Sequence, residues 1–400
     1  MRILQINSVY GYGSTGRIVQ NLHKEIQANG HESYVIYGRG DRSEDKNVFK
    51  IGNKFEQAID VLGTRVFNKH AQYNYVNTKK IIKKIKEIKP DIVHLHNIHG
   101  YYVNFIKLIS FLKSINVKIV WLLHDTWLIS GSSADQGGIE YDWEKEPNLN
   151  HLKKISEEYP RHIQNSVKQG HKNYLIKKEL LSDSGITFIT PSNWLAEIIK
   201  ESFLKNNKVI TIHNGIDTDL FRVLENKDEA KKKSILGVAS KWEDRKGLRY
   251  FERLANDLDE NFIITVVGVT KEQANQINPK INCIQRTNSI QELVELYNKA
   301  DIFVNPTLYD NFPTVNIEAQ ACGTPVITFN TGGSGESIIH GKTGCVVEKG
   351  NYEKLLNSVQ NVNKKNEKLS ENIRRNAERY SSKSIQKEYL KLYKNILNGL

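Results

Sequence analysis

Short apolar runs alternate with helix-period segments along the whole chain, and this alternation limits the fold more than any other feature. Arg2 to Asn7, Ser33 to Tyr37, Ile92 to His96, Lys118 to Leu123, Ile186 to Thr190 and Val209 to Ile212 read as strands. Ile235 to Ala239, Phe262 to Gly268, Ile302 to Asn305 and Pro325 to Phe329 continue the series. Amphipathic stretches such as Gly16 to Asn29 and Ile290 to Asn298 lie between them. Strand and helix in alternation predict an α/β protein with parallel sheets. A chain of 400 residues is too long for one ordinary core and fits two domains. The break is expected at Phe221 to Lys233, where Glu225, Lys227, Asp228, Glu229, Lys231, Lys232 and Lys233 leave no periodic apolar face. We therefore expect two doubly wound domains, residues 1–220 and 234–383, joined by a linker at 221–233 and followed by a last helix within 384–400. Ligands of such sheets bind outside the carboxyl ends of the strands.

Composition excludes several classes. No apolar run approaches the roughly 20 residues of a membrane span. The start, Met1 to Ile6, enters a strand directly and lacks the apolar core of a signal peptide. Three widely spaced cysteines, Cys283, Cys322 and Cys345, form neither a disulfide framework nor a zinc site. A cytoplasmic protein is expected. The net charge of +12 calls for an anionic partner. Neither zinc-finger spacing nor an RNP-type aromatic motif accompanies it, so nucleic acid is not expected. The segment Gln136 to Gly170 is long, polar and irregular, and reads either as a surface insertion or as a functional loop near an acceptor.

Gly11-Tyr12-Gly13-Ser14-Thr15-Gly16 matches G-x-G-x-x-G after a strand and before a helix. One reading is an NAD(P)-dependent oxidoreductase. Its confirming acidic residue would end the second strand, and that strand ends Tyr37-Gly38-Arg39 instead. A P-loop is excluded, because Arg17-Ile18 stands where Lys-Ser/Thr is required. The other readings are a backbone approach to a phosphate ligand, which a residue without Cβ permits, and a tight turn without a ligand. In Val93-His94-Leu95-His96 the alternation puts His94 and His96 on one strand face. They read as satisfied structural histidines rather than metal ligands, since no carboxylate or cysteine companion is evident. His124 ends an apolar strand, where this architecture places chemistry.

The stretch Tyr309-Asp310-Asn311-Phe312-Pro313-Thr314-Val315-Asn316-Ile317-Glu318 sets two carboxylates, Asp310 and Glu318, around a loop and a helix start. Gly332-Gly333-Ser334-Gly335-Glu336 adds a second glycine turn. Backbone N–H groups opening a helix make an anion site, and a carboxylate further along accepts sugar hydroxyls. This segment resembles the carboxylate motif of family 4 retaining glycosyltransferases, and the likeness extends in order over most of the chain. The family usually has Glu where Asp310 stands. The resemblance implies the GT-B fold, with two Rossmann-like domains facing across a cleft and the last helix crossing back onto the first. It implies a bacterial surface-polysaccharide enzyme acting on a UDP-sugar or GDP-sugar, without metal or other cofactor, and a polyprenyl-diphosphate-linked glycan acceptor. A non-catalytic nucleotide-sugar-binding protein is the alternative.

The resemblance also assigns roles. Gly16 would approach the donor diphosphate, together with the Asn311, Phe312, Pro313 and Thr314 loop. Lys246 matches the lysine of the family's basic pair. Lys241 stands at its arginine position, with Arg245 as a nearby substitute. Glu318 would hold the ribose hydroxyls, Asp310 the transferred sugar, and His124 the sugar beside its reacting carbon. Hinge closure over the donor would follow. Finally, Thr78 to Lys89 sets isoleucines three or four apart against a lysine-rich face. It reads as an ordinary packed helix or, more specifically, as a contact for anionic lipid headgroups.

Overall fold

The computed structural model describes residues 1–52, 54–131, 134, 166–224, 232–362 and 367–400. Most of the polar stretch 136–170 and the 225–231 part of the charged segment lie outside these residues. The chain divides into two compact units: Met1–Ile212 with Gln386–Leu400, and His213–Ile385.

The first unit is built on seven strands: β1 (Arg2–Val9), β2 (Glu32–Arg39), β3 (Val48–Lys50), β4 (Ile92–Leu95), β5 (Lys118–Leu122), β6 (Thr187–Thr190) and β7 (Val209–Thr211). Their order is β3-β2-β1-β4-β5-β6-β7, every pairing parallel. Central strands of a parallel sheet are covered on both faces, which is why β1 and β4 are buried almost throughout, their polar Gln5, Asn7 and His94 included. Helix Tyr75–Ile88 sends Ile81, Ile85 and Ile88 into the same core as Leu4, Ile6, Val93 and Leu95. Side chains cap two helix starts of this unit: Asn104 accepts from the Lys107 N–H at 3.0 Å, and Ser192 from that of Leu195 at 3.1 Å.

The second unit has six strands: β8 (Lys233–Val238), β9 (Phe262–Val267), β10 (Ile281–Ile284), β11 (Ile302–Asn305), β12 (Val326–Asn330) and β13 (Gly344–Glu348). Their order is β10-β9-β8-β11-β12-β13, again all parallel. In both sheets the strand order reverses direction once, between β1 and β4 and between β8 and β11. Such switch points are where open α/β sheets bind ligands. The glycine loop follows β1, the Lys246 loop follows β8 and the Asp310 loop follows β11.

The compact units part at Ile212–His213, ahead of the charged segment. Residues 213–224 belong with the second unit because Ile216 and Phe221 are buried in its core beside Leu236, Phe303 and Val326. The Ile216 N–H also bonds the Tyr380 carbonyl at 3.0 Å. Helix Ser382–Leu397 starts in the second unit, and from Gln386 onward it packs in the first. There the buried Tyr393 hydroxyl lies 2.7 Å from His94 Nδ1. Among the described residues no helix is long and apolar enough to cross a membrane.

Candidate functional site

In the second unit three loops are fastened to one another at the strand ends. Gly247 has φ +78°, and a Cβ there would lie 2.2 Å from the Pro306 carbonyl oxygen, so this contact requires glycine. The Leu308 N–H donates to the Arg245 carbonyl at 2.7 Å, and the Arg245 guanidinium donates to the Tyr309 carbonyl at 3.2 Å. The third loop closes on the same point. Gly332 has φ +54° with its missing Cβ 1.9 Å from the Asp310 carbonyl oxygen, which also accepts from the Gly333 N–H at 3.1 Å. Fully buried Asn316 ties helix to turn, accepting from Asn305 at 2.8 Å and donating to the Ser334 carbonyl at 2.9 Å.

This framework holds Lys246 and Asp310 together. The Lys246 ammonium donates to the Asp310 carboxylate, and both side chains are largely shielded. Helix Thr314–Ala321 begins at Pro313 with no side-chain cap, which leaves its first turn suited to an anion. Glu318, half-buried on that helix, accepts a 3.1 Å bond from the hydroxyl of buried Tyr297. Burial, reinforced by the Glu318 carboxylate, pushes the Tyr297 hydroxyl well above its ordinary pKa, so it stays a donor.

Phe312 and Lys241 differ in exposure. The Phe312 ring is buried, 4.8 Å from the His213 ring and 5.7 Å from that of Tyr380, so its side chain is packing. Lys241 is 65 % exposed with its ammonium 3.8 Å from Glu243, whereas Lys246 is the cation joined to Asp310. Arg245 also faces Glu243, at 3.2 Å, and uses its fork on a backbone carbonyl. An exposed ion pair contributes at most about 1 kcal/mol. Lys241→Ala should therefore change kcat/KM by less than about fivefold in a steady-state assay. Sequence reasoning missed His213, whose Nε2 lies 3.4 Å from Glu336 Oε2. Its available signal was position, directly after β7, together with the acid that ends the glycine turn.

In the first unit Gly16 closes the glycine loop. The Gly11 N–H donates to its carbonyl at 3.0 Å, and a Cβ on Gly16 would crowd Val9 at 3.1 Å. The helix Gly13–Ala28 that follows has no side-chain cap. His94, His96 and His124 form a ladder: rings of His94 and His96 are 4.2 Å apart, and His96 Nδ1 lies 3.3 Å from His124 Nε2. Gln5 completes His96 at 3.2 Å. Asp125 pairs with His99 at 3.2 Å and accepts from the Trp127 N–H at 3.0 Å. Among the described residues no group of three or more His, Cys, Asp or Glu side chains is placed to hold a metal ion.

Burial lowers the histidine pKa values, His94 to about 3 and His124 to about 4, with His96 pushed well below its ordinary value. The unfolded chain would bind protons near pH 6.5. Stability from these groups is thus fully present above pH 6.5 and is lost as pH falls through 6.5 toward the folded values. The melting temperature of the chain should drop steeply between about pH 6.5 and 4, and Tyr393→Phe, which removes one His94 partner, should shift that profile.

Comparison with known proteins follows the two units. Residues 15–220 match the family model described as Glycosyltransferase Family 4, and residues 222–380 match Glycosyl transferases group 1. The two matches meet at residues 220–222. The chain is 23% identical to the putative colanic acid biosynthesis glycosyl transferase WcaC of Escherichia coli, covering 99% of this chain and 100% of that protein. It is 27% identical to the N,N'-diacetylbacillosaminyl-diphospho-undecaprenol alpha-1,3-N-acetylgalactosaminyltransferase of Campylobacter jejuni, over 53% of this chain and 61% of that one. Anabaena HepE, solved in complex with UDP, superposes with a TM-score of 0.64 at 15% identity, covering 99% of this chain and 100% of that one. The fold is GT-B, each unit a Rossmann-like parallel sheet. The family match begins at Thr15, at the end of the glycine loop, and takes the place of the oxidoreductase reading. The chain belongs to glycosyltransferase family 4.

Proposed function

We propose that this glycosyltransferase moves a sugar from a UDP-sugar or GDP-sugar to a hydroxyl of a growing, lipid-linked bacterial surface glycan, keeping the anomeric configuration. The observation that carries the reading is the Lys246–Asp310 pair, locked at the switch point of the second sheet by glycines 247 and 332. Preorganised charge of this kind stabilises a leaving diphosphate at little reorganisation cost. Lys246 takes the developing phosphate charge, aided by N–H groups at the start of helix Thr314–Ala321. Asp310 holds hydroxyls of the transferred sugar and Glu318 those of the ribose. In the first unit His124 is kept neutral by burial.

In the reaction the bond from the anomeric carbon to the β-phosphate oxygen breaks, and the bond to the acceptor oxygen forms on the same face. The acceptor proton passes to the leaving phosphate, so no side chain acts as nucleophile. The scheme uses no metal. The relatives support the substrate classes: HepE is solved with UDP, the Campylobacter protein is named for a diphospho-undecaprenol acceptor, and WcaC for colanic acid. The test is turnover of UDP- and GDP-sugars in EDTA with an undecaprenyl-diphosphate-linked glycan, the new linkage read by NMR coupling. Transfer with retention is expected. Transfer with inversion, or strict dependence on added metal, would contradict the scheme.

A further inference from the structure

Helix Lys54–Phe67 is turned inside out. Phe55, Ile59, Leu62 and Val66 recur at helical spacing and form one stripe, yet all four are exposed, Phe55 by 74% and Leu62 by 64%. Phe67, Tyr75 and Val76 extend the exposed apolar surface past the helix end. The buried residues of the same helix are Asp60 and Thr64. Polar contacts hold that orientation. The Asn74 amide donates to the Asp60 carboxylate, and the Thr64 hydroxyl lies 3.5 Å from its other oxygen. Gln57 donates to the Gly38 carbonyl at 2.9 Å, and the Tyr73 hydroxyl to that of Gly63 at 3.4 Å. Rolling the helix to hide the stripe would strip these partners from a buried carboxylate.

Basic residues dominate the exposed charges beside the stripe, and the two acids of the helix, Glu56 and Asp60, are half-buried and buried. Lys54, Arg65, Lys69, Lys79 and Lys83 are exposed, and Lys80 reaches toward Glu56 at 3.9 Å. The isoleucines of the next helix, Tyr75–Ile88, face the core, so the exposed apolar stripe belongs to helix Lys54–Phe67 alone. Apolar groups of this number on a surface mark a docking face. Flanking cations choose an anionic bilayer over an apolar protein patch, because lysines around an inserted stripe meet lipid phosphates.

We propose that helix Lys54–Phe67 lies in the headgroup plane of an anionic membrane, its Phe55–Val66 stripe entering the acyl boundary. This rests on the helix's orientation and not on the reaction proposed above. The test is co-sedimentation of the full chain with vesicles of phosphatidylcholine alone or mixed with phosphatidylglycerol, lacking donor and acceptor. Wild type should bind the mixed vesicles, and more so at low salt. The triple variant Phe55→Ser/Ile59→Ser/Leu62→Ser should lose at least about tenfold in partition. Its melting temperature should hold, since the stripe contributes little to the core. Lys79→Glu/Lys83→Glu should weaken binding in low salt only. Absent binding to the mixed vesicles, or binding unchanged in the triple variant, would overturn the proposal. So would a wild-type dimer in gel filtration that the triple variant converts to monomer, since the stripe would then cover a second copy.

Discussion

Lys246→Ala will lower kcat/KM for sugar transfer by roughly 10²–10³-fold, while its melting temperature falls by only a few degrees. The split follows from position. The ammonium is partly accessible, and its ion pair with Asp310 stabilises the empty protein modestly. During transfer the same charge would face the diphosphate, where its loss has no substitute, because Lys241 points to Glu243 and Arg245 serves a carbonyl. Steady-state kinetics and a melting curve on one preparation separate the two effects. A purely structural ion pair predicts that Lys246→Ala and Asp310→Asn lose stability alike and keep transfer near the wild-type rate.

The second large effect is at Glu318. Glu318→Ala will raise the dissociation constant for UDP or GDP by roughly a hundredfold, since charge-assisted bonds to two ribose hydroxyls are worth about 1.5–3 kcal/mol. It also leaves the buried Tyr297 hydroxyl without its acceptor, at a cost of about 1–3 kcal/mol in stability. Glu318→Gln keeps an acceptor for Tyr297 and so should restore the melting temperature while nucleotide binding stays weak. Calorimetry with UDP and GDP on the two variants checks both halves. Equal affinity in Glu318→Gln and wild type would remove Glu318 from the ribose.

How much of this was legible in the sequence depended on how local each feature is. Asp310, the helix start and Glu318 lie in one linear segment, so their types and spacing could be read directly. Lys246 could be placed because the lysine–glycine step has a backbone reason, the contact of Gly247 with Pro306. His213 and Glu336 could not, since they meet only through the tertiary fold. The direction of the Lys241 side chain was not legible, because a charge in a turn carries none until the loop is built. Central strands such as β1 and β11 are buried on both faces and announce themselves as apolar runs. The strands that went unread, β3, β10 and β13, are all sheet edges, short and half-exposed, with the apolar pattern broken. Helix Lys54–Phe67 is the reverse case: its apolar period is plain, and only the structure shows that the period faces outward.

On the proposed function the second unit would hold a nucleoside diphosphate through Lys246 and Glu318. This is tested most directly by thermal shift of wild type, Lys246→Ala and Glu318→Gln with UDP, GDP, ADP and NADP⁺ in EDTA and in Mg²⁺. A ligand bound only by the folded state raises the melting temperature once well above its dissociation constant. UDP or GDP should stabilise wild type undiminished by EDTA, and both variants should lose the shift. Stabilisation by NADP⁺ alone, or a UDP or GDP shift that survives in both variants, would contradict that reading.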